Sequence, residues 1–167
     1  MSSHSDIAPV RAVGPSDDEL LSLGKLHFLA GFCPVHKHLS AMALARIFHP
    51  ALNQGCVRFF ENDMGKTAAA LIWARLSDTV SERLLRDRIP PTQDEWTSGS
   101  NLWFLDLIAP FGQGLAVAKH IARSPPEEPF YFARLDAKGH VRKVVRGDGT
   151  VVKGRIKTWH GMRGSGA

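Results

Sequence analysis

Cysteine is scarce in this chain of 167 residues, which contains only Cys33 and Cys56. Two such cysteines give neither a disulfide framework nor the ligand spacing of a metal site, so we expect no structural metal and no bound cofactor. Unpaired, reduced cysteines are the rule in the cytoplasm, and that is the compartment we predict.

Long apolar runs are missing as well. The longest, residues 68–74, is far shorter than the roughly 20 residues that a membrane-spanning helix requires. The first 18 residues contain no apolar segment of the kind found in secretory signals. We therefore predict no stable membrane insertion, a disordered segment at residues 1–14, one domain at residues 15–160 and a flexible tail at residues 161–167.

The positive charge is concentrated at the C-terminal end. From Arg134 onward there are nine lysines and arginines but two aspartates, a net charge of +7. Because the whole chain carries +5, the remainder carries −2. A basic region of this size suggests an acidic partner, either nucleic acid or an acidic carrier protein, or else is simply a solvated surface.

The apolar periodicity predicts an α/β (α+β) protein with a mixed, mainly antiparallel sheet and flanking helices. Ser16 and Glu19 form a capping-box pattern at the start of the first helix, and Pro50 is expected to end the second. The predicted helices are residues 17–32, 39–48, 77–87 and 115–122. The predicted strands are residues 56–61, 67–76, 101–108, 130–135 and 140–146, with a last strand from residues 151–152 and 156–159.

Residues 95–114 (EWTSGSNLWFLDLIAPFGQG) are the most informative part of the chain. Asp106 lies within an apolar strand, where a carboxylate is costly unless it is paired. Pro110 ends that strand, and Gly112, Gln113 and Gly114 lead into a helix whose free backbone N–H groups could receive an anion. The combination suggests group transfer from a phosphate-bearing carrier.

These motifs resemble the RTX toxin-activating lysine acyltransferases, the haemolysin-activating type of enzyme. The resemblance rests on Trp96-Thr97-Ser98-Gly99, Trp103-Phe104, Asp106 and Ile108-Ala109-Pro110-Phe111-Gly112, and extends over residues 23–145. Upstream, Pro34-Val35-His36 and Trp73-Ala74-Arg75-Leu76-Ser77 also match. The resemblance implies a GNAT-like acyltransferase fold.

The same resemblance implies an activity. The enzyme would move a fatty acyl group from acyl carrier protein to internal lysines of an RTX-type protoxin, with acyl-coenzyme A as the alternative donor. A lysine with a pKa of about 10.4 must lose a proton before it attacks, and a histidine suits that task. His36 is the implied base and Asp106 the carboxylate that orients it. Gly112, Gln113 and Gly114, with the cations Lys119 and Arg123 one helical turn apart, are the candidate donor-binding residues.

Three alternatives stay open. Cys33, three residues before His36, could be a nucleophile, but a small packed residue is the favoured interpretation because the family usually has serine near this position. The whole chain could instead be a non-catalytic basic module that binds an acidic protein or, through Arg134, Arg142 and Arg146, nucleic acid. A homodimer is compatible with either function.

Overall fold

The computed structural model describes residues 14–135, 141–150 and 156–159. Within these residues the helices are α1 (Asp17–Phe32), α2 (Ala41–Asn53), α3 (Asp78–Asp87) and α4 (Gly114–Arg123), with a short 3₁₀ turn at Gln93–Glu95. The strands are β1 (Val57–Glu61), β2 (Thr67–Leu76), β3 (Asn101–Ile108), β4 (Pro129–Leu135), β5 (Val141–Asp148) and β6 (Ile156–Trp159).

The six strands form one sheet in the order of the chain, from β1 to β6. Every neighbouring pair is antiparallel except β3 and β4, which are parallel. Helix α4 makes the crossover that a parallel pair requires. The predicted mixed, mainly antiparallel sheet with flanking helices is confirmed, and it is consistent with a GNAT-like fold.

The start of α1 is set by the predicted capping box. The backbone N–H of Glu19 donates to Ser16 Oγ at 3.3 Å, and the N–H of Ser16 donates to Glu19 Oε2 at 2.7 Å. Two of the N–H groups that a helix start leaves unpaired are satisfied in this way. Leu26, Leu29 and Ala30 then bury the inner face of α1 against the sheet.

The prediction that Pro50 ends α2 is wrong. The helix continues to Asn53, with Pro50 inside it, and the Gln54 N–H donates to the Pro50 carbonyl at 3.0 Å. An internal proline costs about 3 kcal/mol through its missing N–H and its ring. Here Pro50 and Ala51 are both buried, and the apolar contacts of this last turn offset that cost.

The core lies between the helices and one face of the sheet. Ile72, Ala74 and Leu76 of β2 point into it, together with Trp103 of β3. Trp103 stacks on Tyr131 with ring centroids 5.3 Å apart, and its indole N–H donates to Ser81 Oγ of α3 at 3.0 Å. These contacts hold β3 and β4 at the centre of the molecule.

Several sequence predictions fall outside the described residues. They are the disordered segment, apart from residue 14, the first residue of the predicted strand 140–146, the strand segment at residues 151–152 and the tail at residues 161–167. Within the described residues, no helix is both long enough and apolar enough to span a membrane.

Candidate active site

A β-bulge in β3 determines which way Asp106 points. Ile72 of β2 pairs with Asp106, whereas the next residue, Trp73, pairs with Phe104, so Leu105 is the extra residue. Paired residues of an antiparallel ladder share a face. Asp106 therefore lies on the core face with Ile72. Without the bulge it would pair with Leu71 and lie on the opposite face.

His36 is carried by a tight turn at the end of α1. The helix closes at Cys33, whose N–H donates to the Ala30 carbonyl at 3.1 Å, and Pro34 prevents continuation. The N–H groups of His36 and Lys37 both donate to the Cys33 carbonyl, at 3.0 and 2.9 Å. This turn folds the chain back so that the imidazole reaches the sheet.

The turn and the bulge bring the two predicted catalytic residues together. His36 Nε2 lies 2.7 Å from Asp106 Oδ2, although the residues are 70 positions apart in the chain. His36 is 3% exposed and Asp106 is 8% exposed. A buried, ionised carboxylate is costly unless it is paired. His36 is the partner that Asp106 needs within its apolar strand.

The pair has a marked effect on the histidine. Burial by itself lowers the pKa of His36, but the hydrogen bond and negative charge of Asp106, followed by Cys33, outweigh it and raise that pKa to about 9. The imidazolium form is therefore favoured at neutral pH. With Nε2–H donating to Asp106, Nδ1 is the nitrogen left to exchange a proton with another group.

That second nitrogen faces Cys33. Its Sγ lies 3.0 Å from His36 Nδ1, and both groups are buried. The sulfur, the imidazole and the carboxylate thus contact one another in series. Cys33 therefore does more than fill space, because its sulfur lies within hydrogen-bonding distance of the imidazole. The sequence contains a signal for it, a cysteine three residues before the histidine in a Pro-interrupted turn. That spacing alone does not distinguish a packed cysteine from a nucleophile.

The glycine-containing turn after β3 lies beside the end of α1. Gly112 has a φ of +86°, a conformation that other residues adopt only with strain. The neighbouring Phe111 ring lies 5.8 Å from Phe32 and 6.4 Å from Phe28. These two phenylalanines belong to the last turns of α1, directly before Cys33. The turn is thereby held close to the His36–Asp106 pair.

Gln113 takes the N-cap position of α4 without forming a side-chain cap, and its Oε1 is buried without a hydrogen-bond partner in the described part of the chain. The first N–H groups of α4 are consequently left for another acceptor. Lys119 and Arg123 are exposed on α4, and no described contact joins either of them to His36 or Asp106.

An apolar cavity of about 240 Å³ lies under α4, on the face of the sheet that bears Leu71. Its walls come from β2, β3, β4 and α4, and Asp106 contributes to its lining. Pairing between β3 and β4 is described only for residues 102–104 with 130–132. The cavity therefore sits where the two parallel strands stop pairing. Its principal lining residues are Leu71, Phe104, Leu107, Ile121, Phe130 and Phe132.

The described residues hold no group of three or more histidine, cysteine or acidic side chains that could bind a metal ion.

Comparison with known proteins identifies the family. Residues 16–154 match the family model described as the RTX toxin acyltransferase family. The chain belongs to the RTX toxin acyltransferase family. A protein-lysine myristoyltransferase of Escherichia coli is 33% identical over 122 residues, which cover 73% of this chain and 70% of that protein.

Two further relatives agree with this assignment. The RTX-I toxin-activating lysine-acyltransferase of Actinobacillus pleuropneumoniae is 33% identical over 122 residues, 73% of this chain and 70% of its own length. The leukotoxin-activating lysine-acyltransferase of Aggregatibacter actinomycetemcomitans is 34% identical over 113 residues, 68% of this chain and 67% of its own. The resemblance inferred from the motifs is confirmed, and the rival hypothesis of a non-catalytic basic module is set aside because these relatives are named as enzymes.

Proposed function

We propose that this member of the acyltransferase family moves a fatty acyl group from acyl carrier protein to the ε-amino group of internal lysines in an RTX-type protoxin, in the cytoplasm. The observation that carries the proposal is the buried His36–Asp106 pair, with Nε2 and Oδ2 2.7 Å apart. Asp106 also contributes to the lining of the apolar cavity. The names of the relatives, which activate RTX toxins or transfer myristoyl groups, support the same acceptor and donor classes.

His36 supplies the proton transfers that acylation of a lysine requires. The attacking ammonium, with a pKa of about 10.4, must lose a proton to form the neutral amine, and a second proton leaves as the amide forms. Asp106 fixes the tautomer by accepting from Nε2–H and stabilises the imidazolium that results from proton uptake at Nδ1. With a pKa of about 9, only about one His36 in a hundred is neutral at pH 7, so base catalysis becomes faster as the pH rises.

The cavity under α4 suits the acyl chain. Its walls are aliphatic and aromatic, and burying each methylene there contributes about 0.8 kcal/mol to binding. Because Asp106 contributes to the lining, a chain that fills the cavity would lie against the part of β3 that carries Asp106. Apolar cavities with a few polar groups at one end are the usual form of such binding sites.

The turn at Gly112–Gly114 and the start of α4 are the proposed site for the phosphate of the donor's phosphopantetheine arm. The uncapped N–H groups of α4 and the positive end of its dipole favour an anion there. Lys119 and Arg123, both exposed on the same helix, would meet the acidic surface of the carrier protein. Such contacts weaken as salt screens the charges.

The test is reconstitution with purified components. The protein is mixed with myristoyl-acyl carrier protein and a protoxin fragment, and acylation is followed by intact mass and peptide mapping. We expect acyl groups on lysines of the fragment, loss of at least about 10²-fold in rate for His36→Gln, and wild-type activity for the control His49→Gln, which changes an exposed histidine of α2.

Two results would contradict the proposal. A protoxin fragment that gains no acyl group from either myristoyl-acyl carrier protein or myristoyl-coenzyme A would remove the assigned activity. Wild-type rates for His36→Gln would remove the assigned site. A preference for myristoyl-coenzyme A that is insensitive to salt would leave the transferase assignment in place but exclude the carrier protein as donor.

A further inference from the structure

Cys33 is placed where a nucleophile would be, and it has no part in the direct transfer described above. Its Sγ is 3.0 Å from His36 Nδ1, while Asp106 Oδ2 is 2.7 Å from Nε2 on the other side of the ring. Nucleophile, base and orienting carboxylate in this sequence of contacts form the arrangement that activates catalytic cysteines and serines on unrelated folds.

The contacts of the two ring nitrogens of His36 also support a catalytic role for Cys33. Nε2 is committed to Asp106, so any proton that His36 takes up must arrive at Nδ1, and Nδ1 faces the sulfur. The group that His36 is placed to deprotonate in this structure is therefore the thiol of Cys33.

From these contacts, and resting on the proposed function, we infer that Cys33 is the nucleophile and carries the acyl group as a thioester before the lysine receives it. The second cysteine differs in its surroundings. The Sγ of Cys56 lies 3.4 Å from the Gln54 carbonyl oxygen, and burial raises its pKa against the opposing effects of Arg75 and Trp96. Cys56 thus provides a matched control.

The two half-reactions balance in atoms and protons. In the first, His36 takes the thiol proton, Sγ bonds to the carbonyl carbon of the donor thioester, and the carbon–sulfur bond to phosphopantetheine breaks as its sulfur receives that proton. In the second, the neutral lysine amine attacks the acyl-Cys33 carbon and His36 takes the proton that the nitrogen sheds. The carbon–sulfur bond to Cys33 then breaks, the proton returns to Sγ, and the amide remains on the acceptor.

The experiment traps the intermediate. Full-length protein is mixed with a stoichiometric amount of myristoyl-acyl carrier protein, without acceptor, quenched in acid at successive times and analysed by intact mass and peptide mapping. We expect one myristoyl group on Cys33 in the wild type and in Cys56→Ala, and none in Cys33→Ala. Neutral hydroxylamine should release it, and adding the protoxin fragment should discharge it at least as fast as steady-state turnover.

A second variant guards against misfolding of Cys33→Ala. Cys33→Ser keeps a side chain of similar size that can hydrogen-bond to Nδ1, and circular dichroism should show wild-type melting. Any acyl group on the hydroxyl that this substitution introduces would be an oxygen ester, which should resist the neutral hydroxylamine that strips the wild type. With both substrates varied, initial rates of the wild type should follow the parallel-line pattern of a covalent intermediate.

The outcomes separate this inference from the proposed function. If the wild type acylates the protoxin lysine while no adduct forms on Cys33, or if Cys33→Ala turns over at the wild-type rate, transfer is direct and the inference is wrong, whereas the acyltransferase assignment stands. If the wild type neither consumes the donor nor acylates the protoxin, both are overturned.

Discussion

Replacing Asp106 by asparagine should change how the stability of the protein depends on pH. Asparagine has nearly the same shape and can still accept a hydrogen bond from Nε2–H of a neutral imidazole, but it carries no charge. The negative charge of Asp106 is what counters the effect of burial on His36. The substitution therefore isolates the electrostatic part of the contact from its packing.

The magnitude follows from the pKa of His36, which is about 9 in the folded protein against 6.5 for the free side chain. At 1.36 kcal/mol per pKa unit, the difference corresponds to about 3 kcal/mol of stability. Because the folded-state pKa is the higher one, this contribution is complete below pH 6.5. It is lost as the pH rises from 6.5 through about 9, where the folded state still holds a proton that the unfolded state has released.

Thermal unfolding followed by circular dichroism between pH 6 and pH 10 measures this loss. In a chain of this size, about 3 kcal/mol corresponds to a fall in Tm of roughly 10 °C for the wild type. Asp106→Asn should be nearly flat over the same range, since burial then keeps His36 neutral. Glu95→Gln is the control, because the pKa of Glu95 is held at about 2 by Arg83 and Thr92, so this variant should keep the wild-type slope.

An Asp106→Asn protein whose Tm falls with pH as steeply as that of the wild type would refute the reasoning. The pH dependence would then not arise from the charge of Asp106 acting on His36.

Three further predictions concern rate, packing and substrate length. Activity measured as kcat/KM should rise about tenfold per pH unit from pH 7 and level off near pH 9, the pKa of His36; a profile that is flat over this range would argue against a base with that pKa. Gly99→Ala should lower the free energy of unfolding by about 1–3 kcal/mol, because the added Cβ would lie 2.5 Å from Ser77 Cα. Gly24→Ala in α1 is the control: the site is open, so the same denaturant titration should show a protein about 0.5–1 kcal/mol more stable. Ala118→Trp should narrow the cavity and reduce transfer of long acyl chains more than short ones, while Ala116→Trp, exposed on the same helix and outside the cavity lining, should not alter that ratio.

Much of the fold could be predicted because local signals and burial agree. The capping residues Ser16 and Ser77 sit directly before α1 and α3, where their side chains accept backbone N–H groups. The apolar run at residues 101–108 coincides with β3, which is central and buried. In such segments the periodicity of the side chains and the tertiary packing favour the same structure.

Pro50 shows where local rules failed. A proline inside a helix is unfavourable in isolation, and the pattern Phe48-His49-Pro50 is normally a sound reason to end one. The turn beyond it persists because Ala51 is fully buried in the core with residues of α1 and the sheet. The stabilisation from burying Ala51 depends on packing partners that are distant in sequence, so a local sequence pattern cannot predict it.

The orientation of Asp106 depends on a similar non-local feature. Strict alternation along β3 would place Asp106 on the face of Phe104, away from His36, and the residues on both faces are apolar, so the sequence does not reveal the extra residue at Leu105. The bulge brings the carboxylate to the face of Ile72, where the turn after α1 places the imidazole and the thiol. The residue types at the site could thus be named from the sequence, but their contact is produced by one irregular position in the β2–β3 ladder.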